Sequence, residues 1–101
     1  MAADDVMGKI EFQAPDEGTG TDAILVAAAI QAKSEGDFSA SANATSLEFM
    51  TGASEAASAK VRITSEGHLV PTADDSYDLG TGSLQWRNVY TGDLHLSNMT
   101  K

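Results

Sequence analysis

Short stretches of alternating apolar and polar residues are the clearest signal in the chain. In Lys9-Ile10-Glu11-Phe12-Gln13, Ile10 and Phe12 share one side and the charged residues the other, the period of a half-buried β-strand. Ser46-Leu47-Glu48-Phe49-Met50 repeats the pattern with Leu47 and Phe49 inward. Lys60-Val61-Arg62-Ile63-Thr64 does so again with Val61 and Ile63 inward. Glu66-Gly67 then reads as a turn, and His68-Leu69-Val70 as a short strand stopped by Pro71. Between these runs lie small polar connections: Pro15 to Gly20, Asp37 to Ser46 and Thr51 to Ala59.

Residues 22–33 are ambiguous. The stretch is rich in Ala, with Asp22 placed like an N-cap and Gly36 like a C-terminal stop, which favours a helix. Against that, Ile24, Leu25 and Val26 are consecutive and two are β-branched, and Val26, Ala28, Ile30 and Ala32 alternate with Ala27, Ala29, Gln31 and Lys33. Periodicity alone leaves both readings open. Beyond Pro71 the texture changes. Asp74 to Gly80 is an acidic, turn-rich lead-in, and Ser83 to Trp86 fits one capped helical turn. Trp86 to Tyr90 alternates, and Leu94 to Ser97 reads as a last short strand. Two echoes, Ile10-Glu11-Phe12 with Leu47-Glu48-Phe49 and Ser34-Glu35-Gly36 with Ser65-Glu66-Gly67, suggest one strand–loop–strand plan used twice at unequal spacing.

Composition changes the meaning of these strands. The apolar fraction of 42% includes sixteen Ala, and Val, Ile, Leu and Phe together number only nineteen of 101 residues. That lies just under the roughly 20% below which charged chains tend towards disorder. Ordering the backbone costs about 1–2 kcal/mol per residue, and a fully buried large apolar side chain returns about 1.5–3 kcal/mol. A monomer is therefore marginal, and with no Cys no disulfide can staple it. Ordered strands with too little core predict oligomerisation. The net charge of −9, with only six dispersed Lys and Arg, speaks against nucleic-acid binding. The longest apolar run, Ala23 to Ile30, falls far short of the ~20 residues that span a bilayer, so no membrane insertion is expected. Met1 to Asp5 lacks the basic start and apolar stretch of a signal peptide, and cytoplasmic synthesis is expected. That makes use of the glycosylation sequons at Asn43 and Asn98 unexpected.

Candidate chemistry is sparse. Asp74, Asp75 and Asp78 are weak candidates for a hard cation, but their spacing is not that of a calcium loop and suits turn formation better. His68 and His95 have no paired His or Cys, and a strand-surface or interface role is expected. No nucleophile elbow occurs, and Gly18-Thr19-Gly20 lacks the Lys-Ser/Thr of a phosphate loop. No catalytic residue and no cofactor is expected. Tyr77, Trp86 and Tyr90 fit either a sugar-stacking platform or packing between subunits, and packing is the better reading because aromatics are the largest apolar surfaces in so thin a core.

Two stretches resemble bacteriophage tail-fibre proteins. The first runs through Gly8-Lys9-Ile10-Glu11-Phe12, Val26-Ala27-Ala28-Ala29-Ile30-Gln31-Ala32, Ser46-Leu47-Glu48-Phe49 and Lys60-Val61-Arg62-Ile63-Thr64-Ser65-Glu66-Gly67. The second comprises Pro71, Asp75-Ser76-Tyr77-Asp78-Leu79-Gly80 and Gln85-Trp86-Arg87-Asn88-Val89-Tyr90. Each motif is degenerate; their order over residues 8–97 carries the likeness. The resemblance favours a strand within 22–33. It implies an all-β, elongated, intertwined homotrimeric fibre, β-prism or β-helix-like, of short strands and long small-residue loops. The number three comes from the resemblance alone. The expected organisation is an N-terminal tail at 1–7, a β-rich shaft or knob at 8–70 and a Trp/Tyr-containing fibre segment at 71–101. The expected trimer interface comprises Ile10, Phe12, Ile30, Leu47, Phe49, Val61 and Ile63, with Leu79, Trp86, Val89 and Tyr90 beyond Pro71. The implied setting is the virion, with other tail proteins and a host surface glycan or lipopolysaccharide as partners. Such fibres usually continue into a C-terminal region or an intramolecular chaperone, so a chain stopping at Lys101 is expected to be a fragment, a processed product or a short fibre protein. The competing readings are a piece of a carbohydrate-degrading tailspike, which needs paired carboxylates in a groove, and a disordered partner-binding tail.

Overall fold

The structure, a computed structural model, describes residues 1–14 and 25–97. The expected loop at 15–20, the Asp22 cap and Asn98 lie outside the described residues. Five strands form one antiparallel sheet in chain order: β1 (Val6–Phe12), β2 (Ala28–Ser34), β3 (Thr45–Thr51), β4 (Ser58–Ile63) and β5 (Leu69–Pro71). No helix occurs among the described residues.

The ambiguous Ala-rich stretch is a strand from Ala28 onward. It pairs with β1 on one side and β3 on the other, and ladder bonds on both sides override the helical preference of Ala. β1 begins earlier than its alternation suggests, at Val6, because a register shift between Val6 and Gly8 hides the period. Residues 1–7 are accordingly not a free tail. The Phe38 amide donates to the Met1 carbonyl (2.6 Å), the Asp4 amide to the Ser34 carbonyl (2.9 Å) and the Ala3 amide to Asp37 Oδ1 (3.1 Å). β4 likewise starts before its clean alternation. Phe49 faces Val61 but Met50 faces Ala59, so Lys60 is the extra residue of a bulge. Its ammonium donates to the Thr51 carbonyl (2.7 Å) and to Ser58 Oγ (2.8 Å). The β4–β5 turn is closed by Gly67 N–H to the Thr64 carbonyl and Thr64 N–H to the His68 carbonyl, both 2.9 Å. Gly67 sits at φ +93°, the left-handed position that a type I turn with a glycine bulge requires. Pro71 does not stop β5 but ends it, on the sheet edge where a missing N–H costs nothing.

Register sorts the side chains onto two faces. One row is Ile10, Ile30, Phe49, Val61 and Pro71, and the next is Gly8, Ala32, Leu47, Ile63 and Leu69. The reverse face carries Lys9, Gln31, Glu48, Arg62 and Val70 in one row. Burial is the inverse of what an isolated domain needs. Ala29 is the one buried apolar residue, and Gln31, Ser34, Ser46 and Glu48 are the buried polar ones, among the described residues. Ile10 is 60% exposed and even the central Phe49 is 36% exposed. The radius of gyration, 17.1 Å, exceeds the roughly 13 Å of a compact chain of this length, as expected for a single layer.

The polar face seals itself. Gln31 Nε2 donates to Glu48 Oε1 at 2.7 Å, and Arg62 Nε lies 3.3 Å from Glu48 Oε2. Glu48 is only 2% exposed between them. Arg62 Nε is buried without an aligned hydrogen bond, so its attraction to Glu48 is coulombic. A second clasp joins two loops. Glu35 accepts from Ser65 Oγ (2.6 Å) and from the Ser65 amide (2.8 Å). Those bonds, the hydroxyl's first, hold the Glu35 carboxyl below its ordinary value of 4.5.

Removing one member of the Glu48–Arg62 pair, in which the carboxylate is buried and the Arg62 side chain 38% exposed, should cost more than removing both. Arg62→Ala should lower stability by about 2–3 kcal/mol, because Glu48 stays buried with Gln31 alone. Glu48→Met combined with Arg62→Leu should cost much less in the same chemical denaturation series. The Glu35 clasp has a pH signature. A depressed carboxyl pKa stabilises the fold above about 4.5 and loses that contribution as pH falls through the folded-state value. Hydrogen exchange at the Ser65 amide should therefore speed up below about pH 4.5, beyond its intrinsic pH dependence. In Glu35→Gln that extra acid-dependent step should disappear.

Candidate assembly surface

Alternation in the strands delivers seven of the expected interface residues to one place. Ile10, Phe12, Ile30, Leu47, Phe49, Val61 and Ile63 all lie on the same face, in adjacent register rows. Gly8, Ala28, Ala32, Leu69 and Pro71 share that face, with Ser34, Thr45 and Thr51 towards its ends. Leu69 and Pro71 went unassigned in the sequence because a three-residue strand carries too little period to fix its side. These residues were read as inward, and their shared side holds. Among the described residues no second layer covers them, and only Tyr77 and Leu79 approach the face, at its Val61–Leu69 edge.

The remaining four sit beyond β5. Thr72 is tied to β4 through its amide on the Lys60 carbonyl (2.9 Å) and its hydroxyl on the Ala59 carbonyl (2.7 Å). After it, residues 73–97 form no strand or helix. The expected helical turn at 83–86 and the strand at 94–97 do not form, and the alternating residues 86–90 form no strand either. Alternation marks a strand only where a partner edge exists, and none lies alongside. A local clasp replaces them: Thr81 N–H to the Leu84 carbonyl and Leu84 N–H to Thr81 Oγ1, both 2.9 Å. Leu79, Trp86 and Val89 line one shallow hollow with Gln85 and Asp78. Trp86 is 66% and Tyr90 91% exposed. Leu84, Leu94 and Leu96, not singled out from sequence, are exposed as well. Tyr77 lines a different cleft, beside Val61 and Leu69, so it does not share one platform with Trp86.

The reverse face holds a polar groove of about 320 Å³, lined by Asp4, Glu35, Glu48 and Glu66 with Lys33 and Arg62. Sequence reasoning missed it, since these acids meet only through register and loop return. It is poorly suited to glycoside hydrolysis. Glu48 is ion-paired and sealed, and Glu35 is shifted downward, the opposite of what a general acid requires. Asp74 and Asp75 form a turn, where Ser76 Oγ donates to the Asp74 carbonyl at 2.9 Å and Asp75 takes φ +52°, while Asp78 lines the hollows beside Leu79. No group of three or more His, Cys, Asp or Glu arranged for a metal exists among the described residues. No helix among them is long and apolar enough to cross a membrane.

Comparison with known proteins places this architecture. No protein-family model matches the chain, and no curated protein sequence matches it. Among solved structures, the carboxy-terminal domain of the bacteriophage T5 L-shaped tail fibre with its intramolecular chaperone domain superposes at a TM-score of 0.72 and 21% identity, over 93% of this chain and 24% of that one. A further structure of that carboxy-terminal domain superposes at 0.71 and 22% identity, over 91% of this chain and 34% of that one. The chain thus spans about a quarter to a third of the length of those structures. The resemblance read from the strand and Trp/Tyr motifs is matched in three dimensions: the chain has the all-β fold of part of a phage tail-fibre carboxy-terminal domain.

Proposed function

We propose that the chain is a non-enzymatic structural segment of a phage tail fibre that assembles as a homotrimer and contributes to host-cell attachment. The observation that carries this reading is the inverted burial: a sealed polar face and an open apolar one. Five strands about 4.8 Å apart make a wall about 24 Å wide, and seven residues at about 3.3 Å each make it about 23 Å high. Three such walls closed round a threefold axis stand about 7 Å from it, within reach of Leu, Ile and Phe side chains, and sheets packed face to face need about 10 Å between them. Such a prism would fill with side chains and leave no channel. The polar face, where Gln31 and Arg62 flank the Glu48 carboxylate, would look outward to solvent.

In this reading residues 8–70 form the prism wall and residues 71–101 the following fibre segment, where Leu79, Trp86, Val89 and Tyr90 find cover between chains. The setting is the virion after synthesis in the host cytoplasm. The partners are other tail proteins, with a host surface glycan or lipopolysaccharide at the attached end. The exposed, unpartnered apolar surface on both stretches supports assembly, and the tail-fibre fold supports the setting.

Sedimentation equilibrium should give three times the chain mass of 10.5 kDa. A folded monomer would sink the proposal, and twice the mass would replace the prism by a two-sheet sandwich. Phe49→Asp, at the centre of the apolar face, should abolish assembly, whereas Glu11→Ala, on the outer face, should leave the mass unchanged.

A further inference from the structure

Residues around Leu79 present a hole and a knob that belong to separate hollows. The hole is a cleft of about 200 Å³ where β4 and β5 meet the chain that follows, lined by Val61, Leu69, Pro71, Tyr77, Asp78 and Leu79. All but Asp78 are apolar or aromatic. An engineered apolar cavity of about 150 Å³ takes up benzene, so this cleft has room for an aromatic ring. The knob is Trp86, on the other side of Leu79, where it lines a separate hollow with Leu84 and Gly80.

Trp86 rests outside its own cleft, against Gly80. Gly80 turns the chain at φ +86°, and a Cβ there would stand 3.6 Å from Trp86 Cδ1. The paired bonds between Thr81 and Leu84 close the same turn. A knob and a hole on different patches of one chain make a heterologous contact, which is satisfied at every site only by closing into a ring. The cleft also runs directly into the apolar sheet face through Val61, Leu69 and Pro71. Indole is among the largest apolar surfaces a side chain can bury, about 150–250 Å².

We propose that Trp86 of one copy seats in the Val61–Leu69–Pro71–Leu79 cleft of a second copy, head to tail around the ring. This rests on the homotrimer reading above and names the contact that would close it. The occupant is a second copy because the knob, the hole and the exposed face lie on the same chain.

The test uses the single Trp and the absence of Cys. A chain carrying Leu69→Cys, labelled with a nitroxide, and Trp86→Phe is mixed with native chain in denaturant, refolded and recovered as trimer. Native Trp86 then reports on a labelled neighbour. Its emission should fall in proportion to the labelled fraction, relative to the same mixture without the label. Mixed trimers with undiminished emission would overturn the seating and leave the trimer standing. Native chain that sediments as a monomer would overturn both. Should the labelled chain fail to assemble, Leu69→Ala in the otherwise native chain carries the test. Its Trp86 emission should shift to longer wavelength at unchanged trimer mass, and an unshifted spectrum would overturn the proposal.

Discussion

A sheet one layer thick can hide neither face by itself, and everything else in this chain follows from how its two faces meet water. On the polar side the side chains cover each other. Gln31, Glu48 and Arg62 lie across three strands and close over a carboxylate that is almost wholly removed from solvent. On the apolar side no second layer covers Ile10, Ile30 and Phe49 among the described residues, and Ile10 stays 60% exposed. A large apolar side chain yields its about 1.5–3 kcal/mol only on full burial. The chain therefore keeps most of its apolar stabilisation in reserve for an encounter with another surface.

The same constraint explains the region after β5. Its large residues have no sheet to join, so it is organised by turns: the left-handed Asp75 and Gly80 and the Thr81–Leu84 clasp. Such turns fix where Leu79 and Trp86 point without burying them. Sheet and segment thus share one condition, local order with tertiary burial missing, and differ in how the order is maintained.

Much of this was legible in the sequence. Ile10 with Phe12, Leu47 with Phe49 and Val61 with Ile63 announced their strands and their common side, because period two is a local property. What failed was whatever depended on a neighbour. Residues 28–34 were undecided until β1 and β3 flanked them. Val6 and Ser58 were missed because bulges break the period that marks a strand. Residues 86–90 and 94–97 alternate without pairing. Glu48 and Arg62 both read as outward-facing solvent residues, and only register, which sets them opposite each other, makes them an ion pair around a buried carboxylate. The polar groove is hidden for the same reason, since Asp4 and Glu66 come from opposite ends of the sheet's sequence.

That ion pair bears on the apolar face more than on stability. Side chains alternate with a period of two, so a slip of β3 by one residue would carry Phe49 to the polar side and Glu48 to the apolar one. An aliphatic sheet with small polar loops has little to oppose such a slip. Here the slip would strand a carboxylate away from Gln31 and Arg62 on a surface made of Ile, Leu and Phe. An unpaired charge in an apolar setting is penalised far more heavily than a misplaced methylene. The charged residues on the polar side therefore set the register that keeps the apolar side continuous. A chain with almost no core of its own can present an ordered apolar surface because its order is specified from the polar side.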